Sequence, residues 1–420
     1  MRRSTLGQAR GTVLGSFILI ALAGCAEQGA PGDPQSSVTA ALEACQFRSA
    51  DKMDCYEARL LEELDAAGLP AALAMLEAVS HVDADVEREG HVYAHGIGIR
   101  AYSPDRTLTD VFRQCTVLFQ SGCYHGVIQA EFMANGVADR PTVSELCQPY
   151  DTAEDRWLFF QCLHGLGHAL VMYYGHNLPR ALEDCDYLTS SWNRESCYGG
   201  AFMENVISVT NPHHPASELE PSGTSEKGSG DPAEEGDHEH ATMTSPESLA
   251  PWEPLKADDL HYPCSVLSER YLSACYMMQT SAILWGNGED VAGASETCGQ
   301  APEAWRRTCF QSLGRDLSAR TAQRPEPSLA ECQKTPEEYR AWCYVGLVKN
   351  FVDLTATTES AFSFCGLVED FARSQCYEAV GEQIWTLYGT PTERSAACAV
   401  IEPSELRRAC LAGARVQAGR

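Results

Sequence analysis

Residues 328–353, SLAECQKTPEEYRAWCYVGLVKNFVD, contain the pattern that decides the fold. A short helix is expected over 328–332, ending at Cys332. Thr335-Pro336-Glu337-Glu338 then supplies a capping hydroxyl, a proline at the first helical position and carboxylates in the first turn. A second helix is predicted to continue through Cys343, so a disulfide between Cys332 and Cys343 would close one helical hairpin.

The cysteines repeat this hairpin along the chain. The 420 residues include 19 cysteines, and all except Cys25 fall into nine successive pairs: Cys45 with Cys55, Cys115 with Cys123, Cys147 with Cys162, Cys185 with Cys197, Cys264 with Cys275, Cys298 with Cys309, Cys332 with Cys343, Cys365 with Cys376, and Cys398 with Cys410. The second members of the last five pairs stand 34, 34, 33 and 34 residues apart. A fixed period of this length is typical of a helical solenoid. An arginine also recurs three residues before the second cysteine, as Arg194, Arg306, Arg340, Arg373 and Arg407.

A further unit keeps the pattern without cysteines. The stretch His91-Val-Tyr-Ala-His95-Gly96-Ile-Gly98 aligns with Leu163-His164-Gly165-Leu-Gly167 if Tyr93 takes the place of Cys162. The sequence therefore predicts an all-α protein, an α-solenoid of about ten helical hairpins, most with one internal disulfide. In its period and its one disulfide per hairpin the chain resembles cysteine-rich Sel1-like or TPR-type bacterial repeat proteins.

The helical repeats are predicted in two blocks, 41–210 and 261–420. Residues 211–260 between them are rich in proline, serine, glycine and glutamate, which predicts a disordered acidic insertion. His213-His214 and Asp237-His238-Glu239-His240 lie in this insertion. Two interpretations stay open here, a solvated acidic loop and a weak metal-collecting or lid segment.

The N-terminus has the pattern of an export signal. Three arginines precede the apolar run 13–23, which is short for a membrane span. The following Leu22-Ala23-Gly24-Cys25 resembles the lipobox of bacterial lipoproteins. That resemblance implies a signal peptide over 1–24, lipidation of Cys25 and a tether over 25–40. Ala26, rather than an aspartate, follows the cysteine, which in that family favours the outer membrane. The expected location is a bacterial membrane surface, facing the periplasm or the cell exterior.

Charge and motifs exclude several classes of partner. The chain carries 31 basic against 58 acidic residues, a net charge of −27, which argues against nucleic acid. None of the five lysines follows a glycine, so a phosphate-binding P-loop is absent. The Gly-x-Gly pieces at Gly96/Gly98 and Gly165/Gly167 lie inside a helical repeat, so no nucleotide is expected. The expected partners are the membrane, through the lipid, and an envelope protein or peptide.

Histidines are concentrated in the first block. All twelve lie between His81 and His261. His95, His125 and His164 stand two residues after Tyr93, Cys123 and Cys162, and equivalent positions of stacked repeats face one surface. His91/His95 and His164/His168 are also spaced four residues apart, on one helix face. The register therefore predicts a row of imidazoles.

Such a row suits a transition metal. The predicted ligands are His91, His95, His125, His164 and His168, and Glu131 and Glu204 are candidate outer ligands or catalytic bases. Imidazole with carboxylate suits zinc, copper or iron, whereas thiolate ligation is not expected because every cysteine except Cys25 has a repeat partner. Glycines one position further on, at Gly96, Gly126, Gly165 and Gly200, are expected to let neighbouring helices approach closely.

Two interpretations without a metal stay open for the histidines. They could donate hydrogen bonds within a tightly packed superhelix, or they could form an acid–base or ligand pocket. If a metal is bound, an open coordination position would permit hydrolytic or redox chemistry, whereas a closed one would hold a structural or stored ion. Whether the chain is an enzyme is therefore undecided. The alternative function is a metal-independent envelope scaffold that binds a protein, peptide or glycan.

Overall fold

The computed structural model describes residues 34–103, 105–135, 140–210 and 252–416. Within these ranges the chain forms twenty α-helices and no strand. The first eleven are α1 (Pro34–Cys45), α2 (Lys52–Ala67), α3 (Leu69–Ser80), α4 (Ala84–Arg88), α5 (Gly90–Ala101), α6 (Leu108–Phe112), α7 (Leu118–Asn135), α8 (Arg140–Glu145), α9 (Arg156–Tyr173), α10 (Leu178–Cys185) and α11 (Ser191–Thr210). The last nine are α12 (Leu272–Gly286), α13 (Val291–Gln300), α14 (Glu303–Arg320), α15 (Pro325–Cys332), α16 (Glu337–Thr355), α17 (Glu359–Leu367), α18 (Asp370–Leu387), α19 (Pro391–Cys398) and α20 (Ser404–Gly413).

The helices pair into ten hairpins, and the predicted all-α solenoid is confirmed. In most hairpins a short first helix precedes a longer second helix, as α15 precedes α16. The second hairpin consists of α3 and α5, with the single turn α4 between them. The sixth departs from the pattern, because the turns of residues 261–268, which contain Cys264, stand where the short helix would be.

All nine predicted disulfides are formed, each within its own hairpin. Their Cα–Cα distances lie between 5.4 and 5.9 Å, which is normal for a disulfide. The bonds join Cys45 to Cys55, Cys115 to Cys123, Cys147 to Cys162, Cys185 to Cys197, Cys264 to Cys275, Cys298 to Cys309, Cys332 to Cys343, Cys365 to Cys376, and Cys398 to Cys410. The cysteine-free hairpin of α3 and α5 places buried Tyr93 at the equivalent position. An aromatic ring thus occupies the site that a disulfide fills elsewhere.

The recurring arginine serves the loop between the two helices of a hairpin. Arg306, Arg373 and Arg407 each donate a hydrogen bond of 2.8 to 2.9 Å to a backbone carbonyl five or six residues earlier. Arg194 does the same toward Leu188. Because helix ends leave carbonyl groups without helical partners, the arginine satisfies one of them in each loop. Arg340 instead reaches Glu369 of the next hairpin.

Some boundaries differ from the sequence prediction. The short helix α15 begins at Pro325, three residues early, and α16 begins at Glu337 rather than Pro336. The Thr335 hydroxyl does not cap α16, because it donates to the carbonyl of Cys332. Helix α1 already covers the end of the predicted tether.

The last residues assigned to the insertion, 252–260, pack against α11. The indole Nε1 of Trp252 donates to Oδ1 of Asn205, and the Asn205 side chain donates to the carbonyl of Pro254, both at 3.0 Å. The signal segment, Cys25 and the insertion histidines His213, His214, His238 and His240 lie outside the described residues. Among the helices that are described, none has the length and apolar character needed to span a membrane.

Neighbouring long helices cross at paired glycines. A Cβ added to either member of a pair would overlap a backbone carbonyl oxygen of the other helix. Such contact lets the two backbones touch, which only glycine permits. The pairs are Gly98/Gly126, Gly167/Gly200, Gly314/Gly346 and Gly381/Gly413, at the α5/α7, α9/α11, α14/α16 and α18/α20 crossings.

The predicted close approach is confirmed at Gly126 and Gly200, whose partners at the crossings are Gly98 and Gly167. A Cβ on Gly165 would lie 3.3 Å from the Ile128 side chain, closer than an ordinary van der Waals contact, so Gly165 also faces a neighbouring helix at short range. The second glycine of each Gly-x-Gly piece is the one that makes the helix crossing.

We expect Gly346→Ala to lower the free energy of unfolding by at least about 2 kcal/mol, because its methyl group would force α14 and α16 apart. Gly366→Ala is the matched control. No described atom outside its own stretch of helix lies within 4 Å of the Cβ position on this helical glycine, so the change should raise stability by about 0.5–1 kcal/mol through helix propensity. Urea unfolding followed by circular dichroism measures both changes. Equal effects in the two variants would contradict the crossing.

The array curls until its second half meets its first. Helix α16 packs against α7 and α18 against α9, each five hairpins further along the chain. The rings of Trp192 and Trp385 lie 5.3 Å apart at this meeting, and the Arg156 guanidinium lies 4.0 and 3.9 Å from their centroids. Five hairpins therefore make about one superhelical turn, and the long helices line a partly open central cavity of about 380 Å³.

Candidate metal centre

The five predicted histidines form one continuous row across α5, α7 and α9. Ring centroids are 6.4 Å apart for His91 and His95, and 5.4 Å apart for His91 and His125. His125 lies 5.5 Å from His164 and 4.2 Å from His168. The register prediction is thus confirmed at the level of placement.

Glu204 lies behind His168. Its carboxylate oxygen is 2.9 Å from Nδ1 of His168, and both residues are buried, with exposed fractions of 2% and 0%. An ionised carboxylate only accepts hydrogen bonds, and with ionised Glu204 as its partner Nδ1 of His168 carries the ring proton and Nε2 carries the lone pair. Paired with a buried carboxylate, His168 is fixed in one tautomer and one orientation.

His164 has the same tautomer for a different reason. Its ring donates a hydrogen bond to the backbone carbonyl of Ser196 on α11. The nitrogen facing that helix is Nδ1, since a Cβ on Gly199 would lie 3.5 Å from it. Nε2 of His164 therefore also carries a lone pair, and it lies 3.4 Å from Nε2 of His168. Two lone pairs face each other inside the protein.

His125 completes a cluster of three. One nitrogen from each of His125, His164 and His168 lies within 4.8 Å of the other two. His125 is 1% exposed, and neither of its ring nitrogens has a hydrogen-bond partner among the described residues. A buried polar atom left in this way costs about 1–3 kcal/mol, and a bound ligand would offset that cost.

Burial keeps these imidazoles neutral. It lowers the pKa of His164 to about 3 and that of His91 to about 4, and it lowers the pKa of His125 well below its usual value. The charge that neighbouring imidazoles would carry acts in the same direction. Neutral imidazole is the form that binds metal ions, so the site is in its ligating state at neutral pH.

Glu131 is not described in contact with the histidine cluster. It accepts hydrogen bonds from Tyr102 and Asn135, and no contact with a histidine is described for it. Of the two carboxylates predicted from the sequence, the fold therefore brings only Glu204 to the histidines.

The central cavity opens beside the cluster. His125 and His164 line it, together with the apolar side chains of Met203, Met277 and Met278. Arg315, Lys349 and Asp353 line another part of the same cavity, contributed by α14 and α16. The histidine site therefore faces a partly open cavity with both apolar and charged walls.

Most charges of this wall are already paired. Arg315 forms an ion pair with Asp316 at 2.6 Å, and Lys349 forms one with Glu382 at 2.5 Å. Asp353 accepts a hydrogen bond from the Gln383 side chain, and burial raises its pKa to about 7. The sequence register places Arg315, Lys349 and Glu382 in positions comparable to the histidines, but it gives no signal for Asp353.

No protein-family model, curated protein or solved structure matches the chain.

Proposed function

We propose that the chain is an exported, lipid-anchored helical repeat protein whose first half binds a transition-metal ion through His125, His164 and His168. One observation carries the metal proposal: the Nε2 atoms of His164 and His168 lie 3.4 Å apart, with each ring proton held at Nδ1. Opposed lone pairs repel, and a cation between them turns that repulsion into two bonds.

The distance between these two Nε2 atoms also suits a bound metal ion. Two nitrogens at 2.0–2.1 Å from a tetrahedral zinc lie about 3.4 Å apart. His125 supplies a third nitrogen, and the carboxylate of Glu204 would raise the basicity of His168 as a second-layer partner. Imidazole ligands with a nearby carboxylate suit zinc, copper or iron.

A fourth coordination position would be left for water or a substrate. Three protein ligands plus one open position is the arrangement of catalytic zinc sites. His125 and His164 also line the cavity, so that position would face it. A divalent ion with three neutral imidazoles and the Glu204 carboxylate has a net charge of about +1, which favours a bound hydroxide or an anionic group. We infer hydrolytic or redox chemistry on a small molecule, in keeping with a cavity of about 380 Å³.

Two observations support the proposed location of the protein outside the cytosol. Nine intrachain disulfides favour an oxidising compartment outside the cytosol. The resemblance of Leu22–Cys25 to a lipobox favours a lipid on Cys25 and attachment to a bacterial membrane.

Metal content tests the proposal. The full-length chain would be purified from an oxidising compartment without an affinity histidine tag and analysed by plasma mass spectrometry. We expect near-stoichiometric metal, a loss of at least one ion per chain in His164→Ala/His168→Ala, and no change in His81→Ala, whose exposed histidine lies outside the row. A folded wild-type chain that takes up no metal would overturn the proposal and favour the scaffold that binds a protein, peptide or glycan.

A further inference from the structure

The cavity that the histidine cluster faces also presents two cations from the second turn of the superhelix. Arg315 and Lys349 each stand six residues after the second cysteine of their hairpin, which is also the position of His168. Equivalent positions of a repeat array face one surface, so these cations occupy the register that an imidazole occupies in the first turn. Because α16 packs against α7, Arg315, Lys349 and His125 line one cavity.

The guanidinium of Arg315 has donor capacity left for a ligand. Its Nε and Nη2 atoms donate to the carboxylate of Asp316 at 2.9 and 2.6 Å, and Nη2 also donates to the Ser281 hydroxyl. The remaining nitrogen, Nη1, has the thioether sulfur of Met278 as its partner. A thioether is a weak acceptor, so a carboxylate or phosphate oxygen in the cavity would be a stronger partner for Nη1.

The acidic partners of the two cations leave them able to bind an anion. The carboxylate of Asp316 also accepts hydrogen bonds from the hydroxyls of Thr280 and Ser281, at 2.7 and 3.0 Å, so its negative charge is shared among several donors. Glu382, the partner of Lys349, has a carboxylate side chain that is 51% exposed. An ion pair so exposed to water is weak, and an anion in the cavity can compete with it.

Asp353 adds a third polar group to the same wall. It stands four residues after Lys349 on α16, which places both side chains on one face of the helix. One oxygen of its carboxyl group accepts a hydrogen bond from the Gln383 side chain. Because burial raises the pKa of Asp353 to about 7, its carboxyl is protonated in about half of the chains at neutral pH. In that form the second oxygen can donate a hydrogen bond to an anion.

Resting on the proposed function, we propose that Arg315, Lys349 and Asp353 bind an oxyanion group, a carboxylate or a phosphate, of the small molecule that reaches the metal. The guanidinium is close enough to His164 to contribute, after burial and His168, to the lowered pKa of that imidazole. A group held by Arg315 therefore lies near the metal centre, and the rest of the molecule can extend toward the ion. The substrate class is a small organic acid or phosphate ester.

Binding should depend on the protonation of Asp353. Loss of its proton adds a negative charge beside the anion, so the affinity should fall as the pH rises through about 7. The charged groups on its own helix and on α14 and α18 belong to residue types that do not titrate near neutral pH. On α7, burial lowers the pKa of the imidazole well below its usual value. These groups are Lys349, Arg315, Asp316, Glu382 and His125.

Calorimetric titration of the full-length chain, stripped of metal by a chelator, with acetate and with sulfate tests the site. We expect one anion per chain, bound at least about tenfold more weakly in Arg315→Gln and in Lys349→Gln. Arg307→Gln is the matched control and should bind as the wild type does, because this exposed arginine lies over Trp342 and does not line the cavity. Asp353→Asn should keep the binding and lose its dependence on pH.

The two probes also distinguish the two kinds of oxyanion. Tighter binding of acetate would identify a carboxylate, and tighter binding of sulfate a tetrahedral group such as phosphate. Saturable binding of neither anion, or equal binding in Arg315→Gln and Arg307→Gln, would overturn the proposal. An unchanged pH dependence in Asp353→Asn would remove Asp353 from the site.

These results do not depend on the ion, because the titrated chain is free of metal. The metal content of the same preparations, measured before chelation, tests the metal proposal separately. If Arg315→Gln does not fold, Lys349→Gln still decides, since Lys349 forms its ion pair with a half-exposed glutamate.

Discussion

Complete reduction of the nine disulfides should unfold the array without any denaturant. Each disulfide closes a loop of 8 to 15 residues, which by the chain-entropy estimate contributes about 3 kcal/mol. Nine such contributions exceed the 5–15 kcal/mol that is typical of a folded domain. The single-turn helices α6 and α8 also lack the length to be stable alone.

Circular dichroism with and without a phosphine reductant, together with a thiol count, measures this effect. Cys332→Ala/Cys343→Ala serves as the graded control, and it should stay folded while losing about 3 kcal/mol. A fully reduced chain that keeps the helical signal and the urea midpoint of the oxidised chain would contradict the expectation.

Glu204→Gln should weaken metal binding about 10–100-fold, which is the usual effect of losing a second-layer carboxylate. The glutamine keeps the shape of the side chain and can still accept the Nδ1 proton of His168, so the change isolates the negative charge. Zinc affinity would be measured by competition with a chromophoric chelator.

Glu131→Gln is the matched control for this prediction. Glu131 is an equal candidate from the sequence, but its partners are Tyr102 and Asn135, so zinc affinity should be unchanged. If both variants weakened binding equally, or neither did, the assignment of Glu204 as the partner of His168 would be wrong. Unfolding curves of both apo variants would separate an effect on the metal from an effect on folding.

The difference between the two glutamates follows from helix geometry. Glu204 stands seven residues after its hairpin's second cysteine, as Asp316 does in α14, whereas Glu131 stands eight residues after Cys123. A shift of one residue along an α-helix turns the side chain by about 100° around the helix axis. That rotation turns Glu131 away from the cluster, so counting from the cysteines distinguishes the two glutamates.

The hairpins, all nine disulfides and the histidine row could be predicted from the sequence because each depends on contacts within one repeat or between adjacent repeats. Fixed spacing along a helix is enough to place His125 beside His164. The glycine crossings were harder to predict, because both Gly165 and Gly167 suit a close approach and only the position of the facing helix selects Gly167 for the backbone contact.

The curl of the superhelix could not be predicted in the same way. The curl accumulates from small rotations between neighbouring hairpins over five hairpins, and no local sequence pattern indicates the total rotation. The sequence therefore did not predict the contacts that depend on this curl. Examples are the contact of Trp192 with Trp385 and the cavity lined by both His164 and Asp353. The run of three left-handed residues that begins at Phe119 was equally hidden, since none of them is a glycine.

The contact of Arg156 with both Trp192 and Trp385 changes how the chain should unfold. In an open solenoid each repeat touches only its neighbours, so the ends can fray independently and stability is nearly a one-dimensional sum. Here the fourth hairpin is joined to the ninth, and the third packs against the eighth. These contacts join hairpins five repeats apart, so the hairpins from the third to the ninth cannot melt separately without breaking the contact between the two turns. Cooperative unfolding of this part of the array follows, and an ion bound between α7 and α9 would also stabilise α16 and α18.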